Sequence, residues 1–269
     1  MTRFIVVPQW QGSPSARAMR LIDGAEAVAD DLPRAATTRV DVPPEAGEAL
    51  GTGIRRFSTL VRVRDAVTEA LGAGSERALV IGGDCSVAVP AVAHAARLAP
   101  DMALVWFDAH GDLHTPATSP SGAAAGMALR TILEGDPGAG PAVPPERVVT
   151  VGMRELDAPE AAFLDETPLR ALTVADLADP AALADAVAAT GAASVYVHVD
   201  LDVLDPSAII GVTAPVPFGT TAAVVTAAIA ALRQRMPLAG ASIAGFAPAD
   251  RDAAVEDLGT ILRVVGALA

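Results

Sequence analysis

The chain has 269 residues, 52% of them hydrophobic but only 3% aromatic, so a full core must be packed mainly from Ala, Val, Leu and Ile. Its formal net charge is −13 and it contains no lysine, a balance that argues against a nucleic-acid backbone or an anionic membrane surface as partner. The longest apolar stretch, Ala222–Leu232, covers about eleven residues where a membrane helix needs about twenty.

Taken in order, Arg3–Val7 reads as a strand and Ala16–Ala29 as a helix. The apolar run at Phe4–Val7 is stopped by Pro8 and does not read as a signal peptide. A crossing rich in Pro, Gly and Glu follows over residues 31–58, then a helix at Thr59–Leu71, a strand at Arg77–Ile81 and a helix at Val87–Leu98. Pro90 lies in the first turn of that helix, where proline is tolerated. Next come a strand at Ala103–Phe107, a helix at Gly122–Leu133, an irregular connection over residues 135–146 and a strand at Arg147–Val151. Helix Pro180–Thr190, strand Ser194–Val199, helix Thr221–Arg235, strand Ser242–Phe246 and helix Asp252–Leu268 complete the pattern. Alternation of strand and helix, with nearly continuous apolar strands, predicts a single α/β domain over residues 1–269 with a mainly parallel sheet covered on both faces.

Polar clusters stand at the ends of three of these strands: Gly82-Gly83-Asp84-Cys85-Ser86, Asp108-Ala109-His110-Gly111-Asp112-Leu113-His114, and His198-Val199-Asp200-Leu201-Asp202-Val203-Leu204-Asp205-Pro206. Sites in open parallel sheets form at such carboxyl ends. Asp108, His110 and Asp112 are spaced by two, as are His198, Asp200 and Asp202, and in extended chain such residues face one way. Four aspartates in one pocket stay ionised only beside cations. Carboxylates with an imidazole suit a divalent ion such as manganese. One Asp-x-His-x-Asp alone reads more readily as turn and cap chemistry than as a metal site; the paired clusters, with three of the four histidines in them, favour a metal site. His94 reads as a structural or surface residue.

The three clusters, in order and spacing, resemble the signatures of the metal-dependent ureohydrolases: arginase, agmatinase and formiminoglutamase. The resemblance implies a three-layer α/β/α fold and two manganese ions with a bridging hydroxide that hydrolyses C–N bonds of guanidino or related groups. It further implies bridging carboxylates at Asp108 and Asp200, ligands to one ion at His110 and Asp202, and a ligand to the other at Asp112. Asp84 is implied as a brace of its turn and Asp205 as a cap at Pro206. By analogy alone it implies a homo-oligomer.

Departures from the family pattern limit what carries over. Cys85 stands where the family has a histidine ligand; a soft thiolate suits zinc or ferrous iron better than manganese, and a free cysteine is as often a buried bystander. Counted without gaps, Ala125 takes the place of the family's proton-transfer histidine and Gly245 that of the glutamate that grips the guanidinium. Without that carboxylate a planar cation loses a bidentate pair. The expectation is therefore a cytoplasmic metal-dependent hydrolase of a small molecule, cleaving an amidine, formimino or amide C–N bond, and not a true arginase. His114 and His198 are the candidate proton donors, each with the alternative of supporting a ligating aspartate. Two other readings stand beside this one: an arginase-like binding or regulatory protein without catalysis, and mononuclear zinc chemistry on an amide.

Overall fold

The apolar runs pair side by side in the computed structural model, which describes residues 2–74, 76–135 and 142–269. Strands β1 (Arg3–Val7), β2 (Thr37–Arg39), β3 (Ala78–Gly82), β4 (Met102–Phe107), β5 (Val148–Val151), β6 (Arg170–Leu172), β7 (Ser194–Asp200) and β8 (Leu238–Ala244) form one sheet. Its order is β2-β1-β3-β8-β7-β4-β5-β6, and all the pairings are parallel among the described residues.

Period-two alternation sorts each strand's side chains onto two cores. Val105, Phe107, Val197, Val199 and Ile243 pack on helices α1 (Arg20–Asp30), α6 (Ala182–Ala188), α7 (Ala222–Arg235) and α8 (Arg251–Leu268). On the opposite face Leu104, Trp106 and Tyr196 pack on α2 (Phe57–Gly72), α3 (Ala88–Leu98) and α4 (Ala128–Glu134). The result is the expected α/β/α layering. With few aromatics, cohesion comes from many buried aliphatic side chains, each worth about 1.5–3 kcal/mol.

Local differences from the sequence reading have physical causes. Two short edge strands, β2 and β6, were not expected, because their residues (Thr37–Arg39 and Arg170–Leu172) are polar or exposed and lack an apolar signal. Helix α4 starts at Ala128 rather than Gly122, since Gly122 turns with φ +64° and a 3-10 turn at Ala125–Met127 intervenes. Strand β8 ends at Ala244 because Gly245 adopts φ +90°. An unexpected helix, α5 (Ala158–Glu166), begins with a capping box in which the Asp157 side chain accepts from Glu160 N and Glu160 reaches back to Asp157 N. Of the expected irregular connection at 135–146, residues 136–141 lie outside the described residues.

Candidate metal centre

Four adjacent strands, β3, β8, β7 and β4, end beneath one cavity of about 330 Å³. Cys85, Asp108, His110, Asp112, His114, Asp200 and Asp202 all line it, as do Ala125 and Gly245. His198 does not: it lies wholly buried on the same face of β7 as Asp200, one step below the cavity lining.

Convergence is reached by turns, not by the extended chain the spacing suggested. Strand β4 stops at Phe107, and Asp112 takes a left-handed backbone at φ +53°, rare for a residue with a side chain. After β7 the chain tightens into a 3-10 turn, Leu201–Val203, capped by Asp200, whose Oδ1 accepts Asp202 N at 2.9 Å. Asp202 Oδ1 accepts Ala109 N at 3.0 Å, tying the two clusters together. His110 Nδ1 lies 2.9 Å from Asp202 Oδ2 and 3.5 Å from Asp108 Oδ1. Trp106 Nε1 donates to Asp108 Oδ2 at 3.1 Å. The Cys85 thiol donates to Asp200 Oδ2 at 2.7 Å and sits 3.9 Å from Asp108 Oδ2.

Electrostatics show what such a cavity needs. Burial pushes up all four carboxyls, Asp200 to about 7, with the charge of Asp202 adding to burial, and Asp202 to about 6, with that of Asp108 adding. Asp108 is also raised, and Asp112 is raised well above the usual range by burial and then by Asp108 and Asp200. Burial alone would lower His110, but its hydrogen bonds to Asp108 and Asp202 and their charges outweigh that and hold it up to about 12. The two carboxyls thus favour the protonated imidazole when no cation neighbours them. Asp112 Oδ2 is buried with no hydrogen-bond partner, an arrangement that costs about 1–3 kcal/mol for a polar group and more for a charged one. A cluster of carboxylates with an orphaned oxygen fits divalent cations: Asp108, His110 and Asp202 offer ligand atoms within 4.8 Å of one another.

Supporting residues fix the cavity walls. Asp84 accepts from Ser86 N, Gly12 N and Gln9 Nε2, bracing the turn after β3 as its position implied. Asp205 accepts from Ser207 N and Gly219 N. Arg154 donates to the carbonyls of Gly152, Asp202, Val216 and Pro217, which ties the 212–219 segment to the turn that carries Asp202. At the rim, His114 Nε2 faces Asp157 Oδ2 at 3.2 Å and Glu160 Oε1 at 3.9 Å, while its Nδ1 meets Thr118 Oγ1. Asp157 and Glu160 were missed by the sequence reading, although Asp157-Ala158-Pro159-Glu160 carries a helix-start signature that would have placed α5.

The sequence profile of the arginase family matches residues 18–260. With this fold and this carboxylate cluster, the chain belongs to the arginase family, a family of binuclear metal hydrolases. The N(omega)-hydroxy-L-arginine amidinohydrolase of Streptomyces lavendulae is 31% identical over 95% of this chain and 93% of its own. The arginase of Bacillus caldovelox superposes with a TM-score of 0.81 at 26% identity, covering 99% of this chain and 97% of that one. The Entamoeba histolytica arginase, solved with L-ornithine, superposes with a TM-score of 0.84 at 21% identity over the same shares of the two chains. No helix among the described residues is long and apolar enough to cross a membrane.

Proposed function

We propose that this arginase-family hydrolase acts on a substituted guanidine, of which an Nω-hydroxyguanidine is the best candidate, and discriminates against plain arginine. The observation that carries this reading is the cavity wall at Gly245. A Cβ there would stand 2.3 Å from Asp200 Oδ1, on a backbone at φ +90°, so the wall has no room for a guanidinium-gripping carboxylate. An electron-withdrawing hydroxyl lowers the basicity of a guanidine, so the neutral form is reached more easily and the missing carboxylate costs less. The substrate named for the Streptomyces lavendulae relative is of this kind.

Asp108, Asp112, Asp200 and Asp202, with His110 and Cys85, would hold the divalent ions, manganese by family and zinc or iron by the chemistry of the thiol. Bound there, the ions supply a water acidic enough to attack at neutral pH and stabilise the charge it generates. The chain's own residues do the remainder. Asp108 and Asp200 orient the attacking water at the cavity floor, opposite the trigonal carbon. His114, with Nε2 3.2 Å from Asp157 Oδ2 at the rim, gives a proton to the nitrogen that departs as the C–N bond breaks. Asp157 and Glu160 then face that product amine. His198, below the cavity lining, is not placed to reach it.

The test is product analysis of metal-loaded protein with Nω-hydroxy-L-arginine, L-arginine, agmatine and N-formimino-L-glutamate. Ornithine and hydroxyurea in equal amounts from the first, and little from the others, is expected. Preferential turnover of the formimino substrate would overturn the reading.

A further inference from the structure

The residues beneath the cavity make a second, softer ligand set. We propose that His198 is a metal ligand in this chain, its Nε2 acting with Cys85 Sγ and a carboxylate oxygen of Asp108 to bind a borderline ion such as zinc or ferrous iron at the cavity floor. This rests on the reading of the carboxylate cluster as a metal centre and adds a nitrogen donor where Cys85 removes one.

Three independent observations support it. Cys85, Asp108 and His198 each offer a ligand atom, and the three atoms lie within 4.8 Å of one another. Two donors on a tetrahedral zinc, one sulfur and one oxygen, stand about 3.5 Å apart, and Cys85 Sγ is 3.9 Å from Asp108 Oδ2. Second, His198 Nδ1 is engaged by Ser242 Oγ at 2.8 Å while Nε2 is buried without any partner. That is how a ligating imidazole is ordinarily held: one nitrogen anchored by an outer hydrogen bond, the other free for the ion. A fully buried nitrogen left bare otherwise costs about 1–3 kcal/mol. Third, Trp106 stacks on the His198 ring with centroids 3.8 Å apart, and its Nε1 donates to Asp108 Oδ2. One indole therefore sets the ring plane of one ligand and the rotamer of another.

The arrangement also explains the thiol. Cys85 now donates its proton to Asp200 Oδ2, and burial together with Asp200, Asp112 and Asp108 holds it well above the usual thiol range. A coordinating thiol gives that proton up, which requires an ion with affinity for sulfur. A neutral imidazole beside the thiolate completes a sulfur, nitrogen and oxygen set that favours zinc or iron over manganese.

The experiment loads the full-length apo-protein with zinc and reads X-ray absorption at the zinc edge alongside binding isotherms. Wild type should show sulfur scattering and two imidazoles per chain, from His110 and His198. His198→Gln should lose one imidazole and weaken zinc binding at least tenfold; Ser242→Ala should weaken it by roughly tenfold. An unchanged imidazole count and isotherm in His198→Gln, with binding lost in Asp108→Ala, would overturn the ligand assignment while leaving the metal centre intact. Zinc binding that survives Asp108→Ala with Asp200→Ala would instead sink the metal-centre reading itself. Should His198→Gln not fold, nuclear magnetic resonance of the wild-type histidine nitrogens decides: zinc must shift His198 Nε2, and an unshifted signal refutes the proposal.

Discussion

Replacing Gly245 by alanine is a small change with a large expected consequence. An added Cβ would lie 2.3 Å from Asp200 Oδ1, 3.0 Å from its Cγ and 3.1 Å from Oδ2, where ordinary contact needs about 3.5 Å. Asp200 must therefore retreat by about 1 Å, while metal–ligand distances tolerate about 0.2 Å. Retreat also breaks its bonds to Asp202 N and to the Cys85 thiol. In addition, an alanine at φ +90° carries roughly 1–3 kcal/mol of backbone strain. That corresponds to a melting temperature lower by about 2–10 °C. Elemental analysis and a thermal melt of Gly245→Ala should show at least one ion lost per chain together with that drop. Gly245→Glu, although it restores the family's residue type, should lose metal in the same way and gain no arginine hydrolysis. Full metal content and an unchanged melt in Gly245→Ala would refute the geometry and reopen the question of how a guanidinium is held.

Other outcomes follow from the same structure. The pair Asp108→Ala with Asp200→Ala should abolish divalent-metal binding, checked by elemental analysis after dialysis. A thiol reagent should label Cys85 faster in chelator-treated than in metal-loaded protein, and Cys85→His should raise manganese content whereas Cys85→Ser lowers it; equal labelling with unchanged content would mark a packed bystander. Arg154→Met removes four hydrogen bonds to backbone carbonyls and should cost about 3 kcal/mol in a denaturant titration, with a raised KM from the loosened 212–219 segment. With the proton-donor role proposed for it, His114→Gln should depress kcat far more than KM and leave metal content unchanged in elemental analysis.

Much of this was legible in the residues. Largely apolar, β-branched runs such as Ala103–Phe107 and Ser194–Val199 mark central strands, close to the observed Met102–Phe107 and Ser194–Asp200, and the polar clusters at their ends mark the cavity. What escaped the sequence reading depended on three-dimensional context. The spacing of Asp108, His110 and Asp112 suggested a shared strand face, yet their meeting depends on a left-handed Asp112 that no periodicity reports. His198 shares a face with Asp200 as expected, but that it lies beneath the cavity rather than in its lining depends on the tertiary packing, with the Trp106 ring of the neighbouring strand stacked on it. Strands β2 and β6 are held by pairing to one neighbour each and have little apolar pattern of their own. Helix α5 carries almost no apolar periodicity, so only its capping box could have announced it.

The specificity ratio between two substrates is the decisive test of the proposed preference for a hydroxyguanidine. With metal-loaded protein, kcat/KM for Nω-hydroxy-L-arginine should exceed that for L-arginine by about 10- to 150-fold, the equivalent of one missing charged hydrogen-bonded contact of roughly 1.5–3 kcal/mol. Equal kcat/KM for the two substrates, or a preference for arginine, would contradict the proposed function.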